Sequence, residues 1–530
     1  MEAFSELLEQ LYFTSGNNAK AALIKDYLAS TPDPDRGWAV AAIAGALKFD
    51  FFKRNTVKKL ITERVDGELF AMSYDYVGEV SETVAHLWPD YEPSVKLPAL
   101  SEIIGDFMGV SRNKVSGTLA NYLSIMTPAQ RWALLKLGTR GLRIGVSARS
   151  IKQILADYGN KDISDIETLW HGVKPPYTNL LLWLEDKGPI PDISDVLTFH
   201  PVMLSHPIEE KHIDDFCPHL WQIENKYDGI RVQLACNTQK AESQKALFSR
   251  TGDDISHAFP DLLEAISGNL VLDGELLVMH KESIDTFNAL QQRLNKKKPS
   301  NALMKTFPAG MIVYDALVIE GIDLTSLPLA ERRKKLQDYL TQTEKGINPR
   351  LHLSTTLFAA SADELRALHQ KVCQNRAVEG LMLKRLDSYY VPGRPKGKWY
   401  KWKRDAFTVD AVMMYAQRGH GKRSSFYSDY TFGAWQDDTL LPIGKAYSGF
   451  TDDELKKLDN WVRRNAIGRF GPVREVKKEL VLEVAFDAVH TSSRHKSGVA
   501  LRFPRIHRIR WDKPASEADT LETLVSLIDT

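Results

Sequence analysis

Apolar residues in the first third of the chain recur every three to four positions. Phe4, Leu7, Leu8 and Leu11 form one such stripe, and Ala22, Ile24 and Leu28 a less regular one. That period is helical, so residues 1 to about 170 are predicted to be helices that each bury one face. Ser101 and Glu102 ahead of Ile103, Ile104 and Phe107 mark a helix start. The texture changes where Pro175, Pro176, Pro189, Pro191, Pro201 and Pro207 interrupt the pattern, as in a linker and domain entry. Beyond it come strand-like runs, Ile230–Ala235, Leu270–Met279, Gly310–Ile319 and Gly380–Leu383, with helical stretches such as Ala362–Gln374. From Asp405 the runs are shorter: Thr408–Tyr415, Asp429–Trp435 and Leu480–Val489, with one helix over Asp452–Asn465. That is the texture of a small barrel. The expected architecture is multidomain α+β, divided at 1–195, 200–404 and 405–530.

Composition narrows the class. The chain has 530 residues, 43% hydrophobic and 26% charged, enough for about three ordinary domains. No run of about 18 apolar residues suggests a membrane span, and the N-terminus lacks the basic and apolar segments of a secretory signal. Cys217, Cys236 and Cys373 form no CxxC pair, so neither a zinc site nor a disulfide framework is expected, and a reducing cytoplasm fits. The net charge of +1 says nothing about polyanions, so any such surface must come from local segregation. One segment qualifies. Between Arg131 and Leu155 the chain carries Lys136, Arg140, Arg143, Arg149 and Lys152 and no acid, around the turn Gly138–Gly145. Backbone amides and arginines in such a turn can grip phosphates. A solvated basic face is the plainer alternative.

The sharpest chemical signal is Glu224-Asn225-Lys226-Tyr227-Asp228-Gly229-Ile230-Arg231. Its four fixed positions, Lys-x-Asp-Gly-x-Arg, would arise by chance in roughly one chain of this length in 300. It reads as a nucleophilic lysine in a turn before a strand, with glycine letting the backbone bend and an arginine fork for a phosphate or ribose.

These residues resemble the covalent nucleotidyltransferases, and further segments continue the likeness in the family's order. They are Ser249-Arg250-Thr251-Gly252, Leu272-Asp273-Gly274-Glu275, Val313-Tyr314-Asp315, Glu379-Gly380-Leu381-Met382-Leu383-Lys384 and Lys398-Trp399-Tyr400-Lys401-Trp402-Lys403. The run from Leu501 to Lys513 is similar to the terminal motif of ATP-dependent DNA ligases, and the compact layout to the stand-alone bacterial repair ligases. Each piece alone has a bland reading as a turn, a packed strand or a solvated face. Six of them in order, after the nucleophile motif, do not.

The resemblance implies a helical DNA-binding domain, an ATP-grasp-like adenylation domain with antiparallel sheets, and a C-terminal OB-fold barrel. It implies that Lys226 is the catalytic nucleophile. Glu224, Arg231, Arg250, Glu275, Tyr314, Arg394, Lys401 and Lys403 would line the ATP or AMP site, with Tyr314 where many relatives stack a phenylalanine on adenine. Glu275 and Glu379 would hold Mg²⁺, for which Mn²⁺ can substitute. Arg502, Arg505 and Lys513 would orient pyrophosphate, and Arg140 and Arg143 would contact DNA. A free lysine titrates near ~10.4, so Lys226 needs the field of Lys401, Lys403 and a cation to become a nucleophile. The implied substrate is nicked duplex DNA, enclosed by a monomer, in the cytoplasm at the nucleoid. Two rival functions share part of the pattern. A capping guanylyltransferase or RNA ligase would share the chemistry but not the Leu-Arg-Phe-Pro-Arg run. A non-catalytic DNA-binding scaffold would not keep Lys226, Glu275, Glu379, Lys401 and Lys403 together.

Overall fold

The computed structural model describes the chain except residues 48–51, 90, 92–95, 140, 194–195, 239–243, 265, 281–282, 295, 344–349, 376, 420–424, 494 and 529–530. It divides into two compact units. One comprises residues 1–161, 175–189 and 406–530, the other residues 162–174 and 190–405. Among the described residues no helix is long and apolar enough to cross a membrane.

In the first unit the N-terminal part is helical, from Glu2–Phe13 to Thr178–Leu184. The predicted stripe of Phe4, Leu7, Leu8 and Leu11 is the buried face of the first helix. The predicted start near Ser101 is the helix Leu100–Gly109, whose orphan amides are satisfied from a distance. Asp35 accepts from the backbone N–H of Leu100 and Ser101 at 2.8 and 2.9 Å. The proline-rich stretch is not simply a linker, because it contains the helix Thr178–Leu184 with Leu180, Leu181 and Leu184 buried.

The C-terminal part of this unit is built on one long strand, Phe407–Arg418. It pairs antiparallel with Tyr427–Gln436, Val473–Val476 and Val481–Phe486. Having more than one partner along its length curls the sheet into a half-barrel around Tyr430, Phe432, Leu482 and Phe486. The helix Asp452–Asn465, capped by Thr451, lays Leu455, Leu458 and Val462 against the sheet, with Leu458 and Val462 in that core. The predicted strand Leu480–Val489 is two, Val481–Phe486 and Ala488–Thr491.

The second unit holds two sheets. The larger runs Gln244–Ser249, Ile230–Asn237, Asn269–His280, Ala309–Ile319 and Ile322–Asp323, with Ser283–Ile284 and Leu351–Leu353 pairing at its sides. The smaller orders His206–Pro207, Trp399–Lys403, Val378–Arg385, Trp221–Tyr227 and Thr356–Leu357. Pairing is antiparallel except where His206–Pro207 and Leu351–Leu353 join. The helix Leu329–Thr343 packs on the strand Ala309–Ile319 through a buried ion pair. Arg332 binds Asp315 bidentately at 2.8 Å through both Nε and Nη2, and its Nη1 reaches the carbonyls of Leu327 and Ser388. Neither side chain is exposed. Breaking one half leaves an uncompensated buried charge, so Arg332→Met is expected to cost about 3–5 kcal/mol of stability in urea unfolding. The double variant Arg332→Met/Asp315→Leu should recover most of it. A double variant no more stable than the single would show that the orphaned charge is not the source of the loss.

Candidate active site

Lys226 lies inside the strand Trp221–Tyr227, one residue before its end, and not in a turn as expected. The polar run Glu-Asn-Lys hides the strand, because its charged side chains face a site rather than a core. Three cross-strand rows on the smaller sheet define that site. Lys226 stands opposite Gly380, and Gly380 opposite Lys403. Glu224, Met382 and Lys401 form the next row, and Gln222, Lys384 and Trp399 the third. Directly opposed residues, and residues two apart, share a face of a sheet. The nucleophile candidate, both paired lysines, Glu224 and Lys384 therefore sit on one face.

Glu379 should point to the other face. The register slips between Val378 and Gly380 while the partner strand advances by one residue, which leaves Glu379 as a bulge. The bulge turns its carboxylate to the site, where it accepts hydrogen bonds from Lys226 Nζ and, at 2.8 Å, from Lys403 Nζ. Gly380 has φ +140°, and a Cβ there would collide with the Trp402 carbonyl oxygen, so the bulge needs glycine. Gly229 is required for a different reason than bending. A Cβ would lie 2.5 Å from the Leu276 carbonyl oxygen and 2.8 Å from Glu275 Cγ, so glycine lets the strand Asn269–His280 approach.

The charges are concentrated. Burial alone would raise the Glu379 carboxyl; Lys226 and Lys403 outweigh it and hold it below the usual glutamate value. Burial lowers the Lys401 ammonium, and the positive charges of Lys226, Lys403, Arg394 and Arg250 lower it further. Arg250 and Arg394, both outside the strands, are thus within electrostatic reach of Lys401. The Arg394 carbonyl is fixed by His206 Nε2 at 3.2 Å.

Glu275 stands directly opposite Arg231 on the larger sheet. Burial pushes its carboxyl up to about 7, Lys226 and Arg231 pull against that, and Glu379 and Asp273 add to it. With a raised carboxyl, the folded protein keeps a proton that the unfolded chain releases above its ordinary value of 4.5. The associated stability is present below that value and is lost as pH rises through about 7. In EDTA, Glu275→Gln is expected to gain about 2–3 kcal/mol over the parent at pH 8 and almost nothing at pH 5, read from urea melts. An equal offset at both pH values would show that the carboxyl does not titrate in this window.

The wall around Glu224 is as ordered. Glu224 is 1% exposed. It accepts from Ser354 Oγ at 3.1 Å and from Lys384 Nζ at 3.0 Å on Oε2, and from Gln222 Nε2 on Oε1. Lys384 Nζ also lies 4.1 Å from the Tyr314 ring centroid and 4.8 Å from that of Trp399. Between Gly274 and Asp273 the register slips by one residue on the strand Ala309–Ile319, and the residue left over is Tyr314. Arg231 is largely committed to the fold. Its Nε and Nη2 bind Asp273 at 3.0 and 2.7 Å, its Nη1 the Met203 carbonyl at 2.7 Å, and Nη2 also contacts Tyr390 Oη at 3.2 Å.

The residues expected from the sequence to meet pyrophosphate and DNA belong to the other unit. Arg505 donates to Asp487 at 2.9 Å, and Lys513 to Asp410 at 2.8 Å. Arg502 ends the strand Val499–Arg502 with its guanidinium 5.3 Å from the Phe503 ring centroid. Part of the basic segment is internal. Arg131 is buried and donates to the Leu123 carbonyl at 2.6 Å, and Lys136 pairs with Glu79 at 3.3 Å. Arg143 is exposed, with a left-handed φ of +44°. Arg140 lies outside the described residues.

Two family models match the chain, the ATP dependent DNA ligase domain over residues 202–403 and the ATP dependent DNA ligase C terminal region over residues 423–513. A probable DNA ligase from Koribacter versatilis is 33% identical across 98% of this chain and 95% of its own. The chain belongs to the ATP-dependent DNA ligase family. A DNA ligase from Thermococcus onnurineus is 30% identical over 58% of the chain and 54% of that protein. The solved structure called Pmar-Lig_PreS3 superposes with a TM-score of 0.61 at 16% identity, covering 96% of this ligase and 99% of that chain, a likeness of fold. The ligase uses ATP, and sealing nicks in DNA is the family's general function.

Several residues of the ligase site have no sequence signal of their own. Asp273 and Tyr390 hold Arg231, while Gln222, Ser354 and Lys384 hold Glu224. Lys384 and Asp273 fall within family motifs, but their spacing alone assigns them no role. Nothing local marks Ser354, which reaches Glu224 only when distant strands come together, whereas Gln222 lies two residues before Glu224 on the same face of the same strand. Among the described residues no group of three or more His, Cys, Asp or Glu side chains converges. The two glutamates fit a Mg²⁺ that completes its shell with water and phosphate, and not an ion needing a full protein cage.

Proposed function

We propose that Lys226 captures AMP from ATP, releasing pyrophosphate, and passes it to the 5′-phosphate of a nick, where the 3′-hydroxyl displaces it. The observation that carries this reading is the single sheet face that joins Lys226, Glu379, Lys401 and Lys403. Lys401 and Lys403 neutralise the phosphates, and Glu224 accepts from the adenine amino group. Tyr314 stacks on the base, and Arg231, Arg250 and Arg394 complete the nucleotide contacts. Glu275 and Glu379 hold Mg²⁺ or Mn²⁺, which would polarise the α-phosphate. Each displacement depends on positioning and charge stabilisation.

The reading extends to the whole chain as three domains at 1–195, 200–404 and 405–530, the last an OB-fold barrel. Arg502, Arg505 and Lys513 orient the pyrophosphate, which requires Arg505 and Lys513 to exchange their present carboxylate partners. Asp405, the last residue before the chain returns to the first unit, serves as the hinge. The ligase works as a monomer around duplex DNA in the cytoplasm. Incubation with radiolabelled ATP or GTP tests the centre of it. Label on the protein from ATP alone is expected, whereas label from GTP would support a capping enzyme and no label a non-catalytic scaffold.

Arg140 and Arg143 would grip the DNA backbone, and the exposed, left-handed Arg143 supports the second of these. For every arginine–phosphate pair removed, the log–log salt dependence of nick binding should flatten by about 0.9. Affinity measured at several salt concentrations for Arg140→Ala/Arg143→Ala checks this. An unchanged slope would return both arginines to ordinary solvent exposure.

A further inference from the structure

Beside Glu224 the base wall contains a cation with an uncommitted donor. Arg333 sits in the helix Leu329–Thr343, in the run Glu331-Arg332-Arg333-Lys334-Lys335, and is 8% exposed. Its Nη2 donates to the carbonyl of Ser354, the residue whose hydroxyl donates to Glu224 Oε2. Its Nη1 is buried and has no hydrogen-bond partner among the described residues. A buried N–H left unpaired costs free energy, and such a group in a binding wall is explained most simply by an acceptor that arrives with the ligand. Burial lowers the Arg333 guanidinium, and Glu224 and Asp315 are the charges that oppose the shift, which places it close to the base-reading carboxylate.

The strand Leu351–Leu353 leads into Ser354 and runs parallel to Met311–Val313, so Ser354 arrives beside Tyr314. Ser354 N–H also donates to the Val313 carbonyl at 2.8 Å. One strand connection thus joins the stacking residue, the carboxylate and the spare guanidinium donor. Adenine presents an amino donor with a ring-nitrogen acceptor on each side of it, N1 and N7. Guanine presents a carbonyl in place of the amino group and an N–H at N1. A carboxylate facing the six-position accepts from adenine's amino group and repels guanine's carbonyl; a cationic donor aimed at N1 adds to that discrimination, because guanine carries a hydrogen there, whereas N7 accepts in both bases.

We propose that Arg333 is a second base-reading residue, donating through Nη1 to a ring nitrogen of adenine, N1 or N7, beside the amino group read by Glu224. This rests on the assignment of Glu224 and Tyr314 to the base site.

The test compares initial rates of self-adenylylation on ATP, 1-deaza-ATP and 7-deaza-ATP, each detected as an adduct by intact-protein mass spectrometry. The parent, Arg333→Met and Arg333→Lys are assayed together. The parent is expected to lose about 10- to 100-fold in kcat/KM on one of the two deaza analogues, the size of a hydrogen bond to a charged donor. Arg333→Met should lose a similar factor on ATP but nothing further on that same analogue, and, where that analogue is 1-deaza-ATP, its preference for ATP over GTP should narrow. Arg333→Lys should recover part of the loss. A parent indifferent to both analogues overturns the proposal whatever the variants do. So does an Arg333→Met protein that still suffers the full analogue penalty, since Arg333 would then only prop the Ser354 carbonyl. A parent that takes no label from ATP would sink the base-site assignment itself, a failure distinct from either of these.

Discussion

Replacing Lys226 with alanine is expected to abolish covalent capture of AMP and all sealing that starts from a plain nick. Lys226 is the amine at the nucleophile position of the motif and the one aligned with both Glu379 and Lys403 on the sheet face. Lys401 and Lys403 occupy the same face, but their strand is separated from it by Val378–Arg385, and Lys403 is itself tied to Glu379. Neither is placed to take over. The variant should still join a nick supplied with AMP already on its 5′-phosphate, because the last displacement uses the 3′-hydroxyl as nucleophile. Two assays separate these outcomes: label retained by denatured protein after incubation with ATP, and joining of pre-adenylylated DNA without ATP. Label on the Lys226→Ala protein would remove the assignment. Failure on the pre-adenylylated nick would show that the lysine also organises the final step.

Glu379→Gln is expected to slow self-adenylylation by at least about 100-fold, the cost of losing one preorganised charged group at a phosphoryl-transfer site. The substitution keeps the shape of the side chain and the bulge that turns it. It removes the charge that neutralises Lys226 and Lys403, and on the proposed reading it would weaken the divalent-cation site shared with Glu275. Affinity for nicked DNA should be unchanged, because Glu379 is mostly enclosed by lysines and sheet rather than set on an exposed surface. A variant that adenylylates normally but binds nicks poorly would place Glu379 in DNA recognition instead. Thermal melting of the variant guards against a trivial loss through unfolding, since two ammonium groups would then share the face without their counter-ion.

Much is legible in the chain itself. The helical period of Phe4, Leu7, Leu8 and Leu11, the apolar runs of the two long central strands and the helix Asp452–Asn465 all follow from local burial patterns that need no partner to be read. The order of the motifs carries the family, because a covalent nucleotidyl transfer needs a nucleophile, carboxylates and phosphate-binding cations in one place. What the motifs cannot contain is the geometry between them. Strand Trp221–Tyr227 reads as a turn because its functional face is charged. Gly229 reads as a bend in the backbone, whereas it makes room for a neighbouring strand. Arg231 reads as a ligand-binding fork, but nothing local shows that Asp273, Met203 and Tyr390 also hold it. Glu379 reaches Lys226 only because a bulge reverses the alternation of its strand, and bulges are set by pairing with a partner far away in sequence. Arg332 and Arg333 stand side by side in one basic run of a helix, yet the first is buried against Asp315 and the second against Ser354. Residue type and spacing determine which groups can do chemistry. Which of them face the same space is decided by strand register and close approach, and those exist only when distant segments have come together.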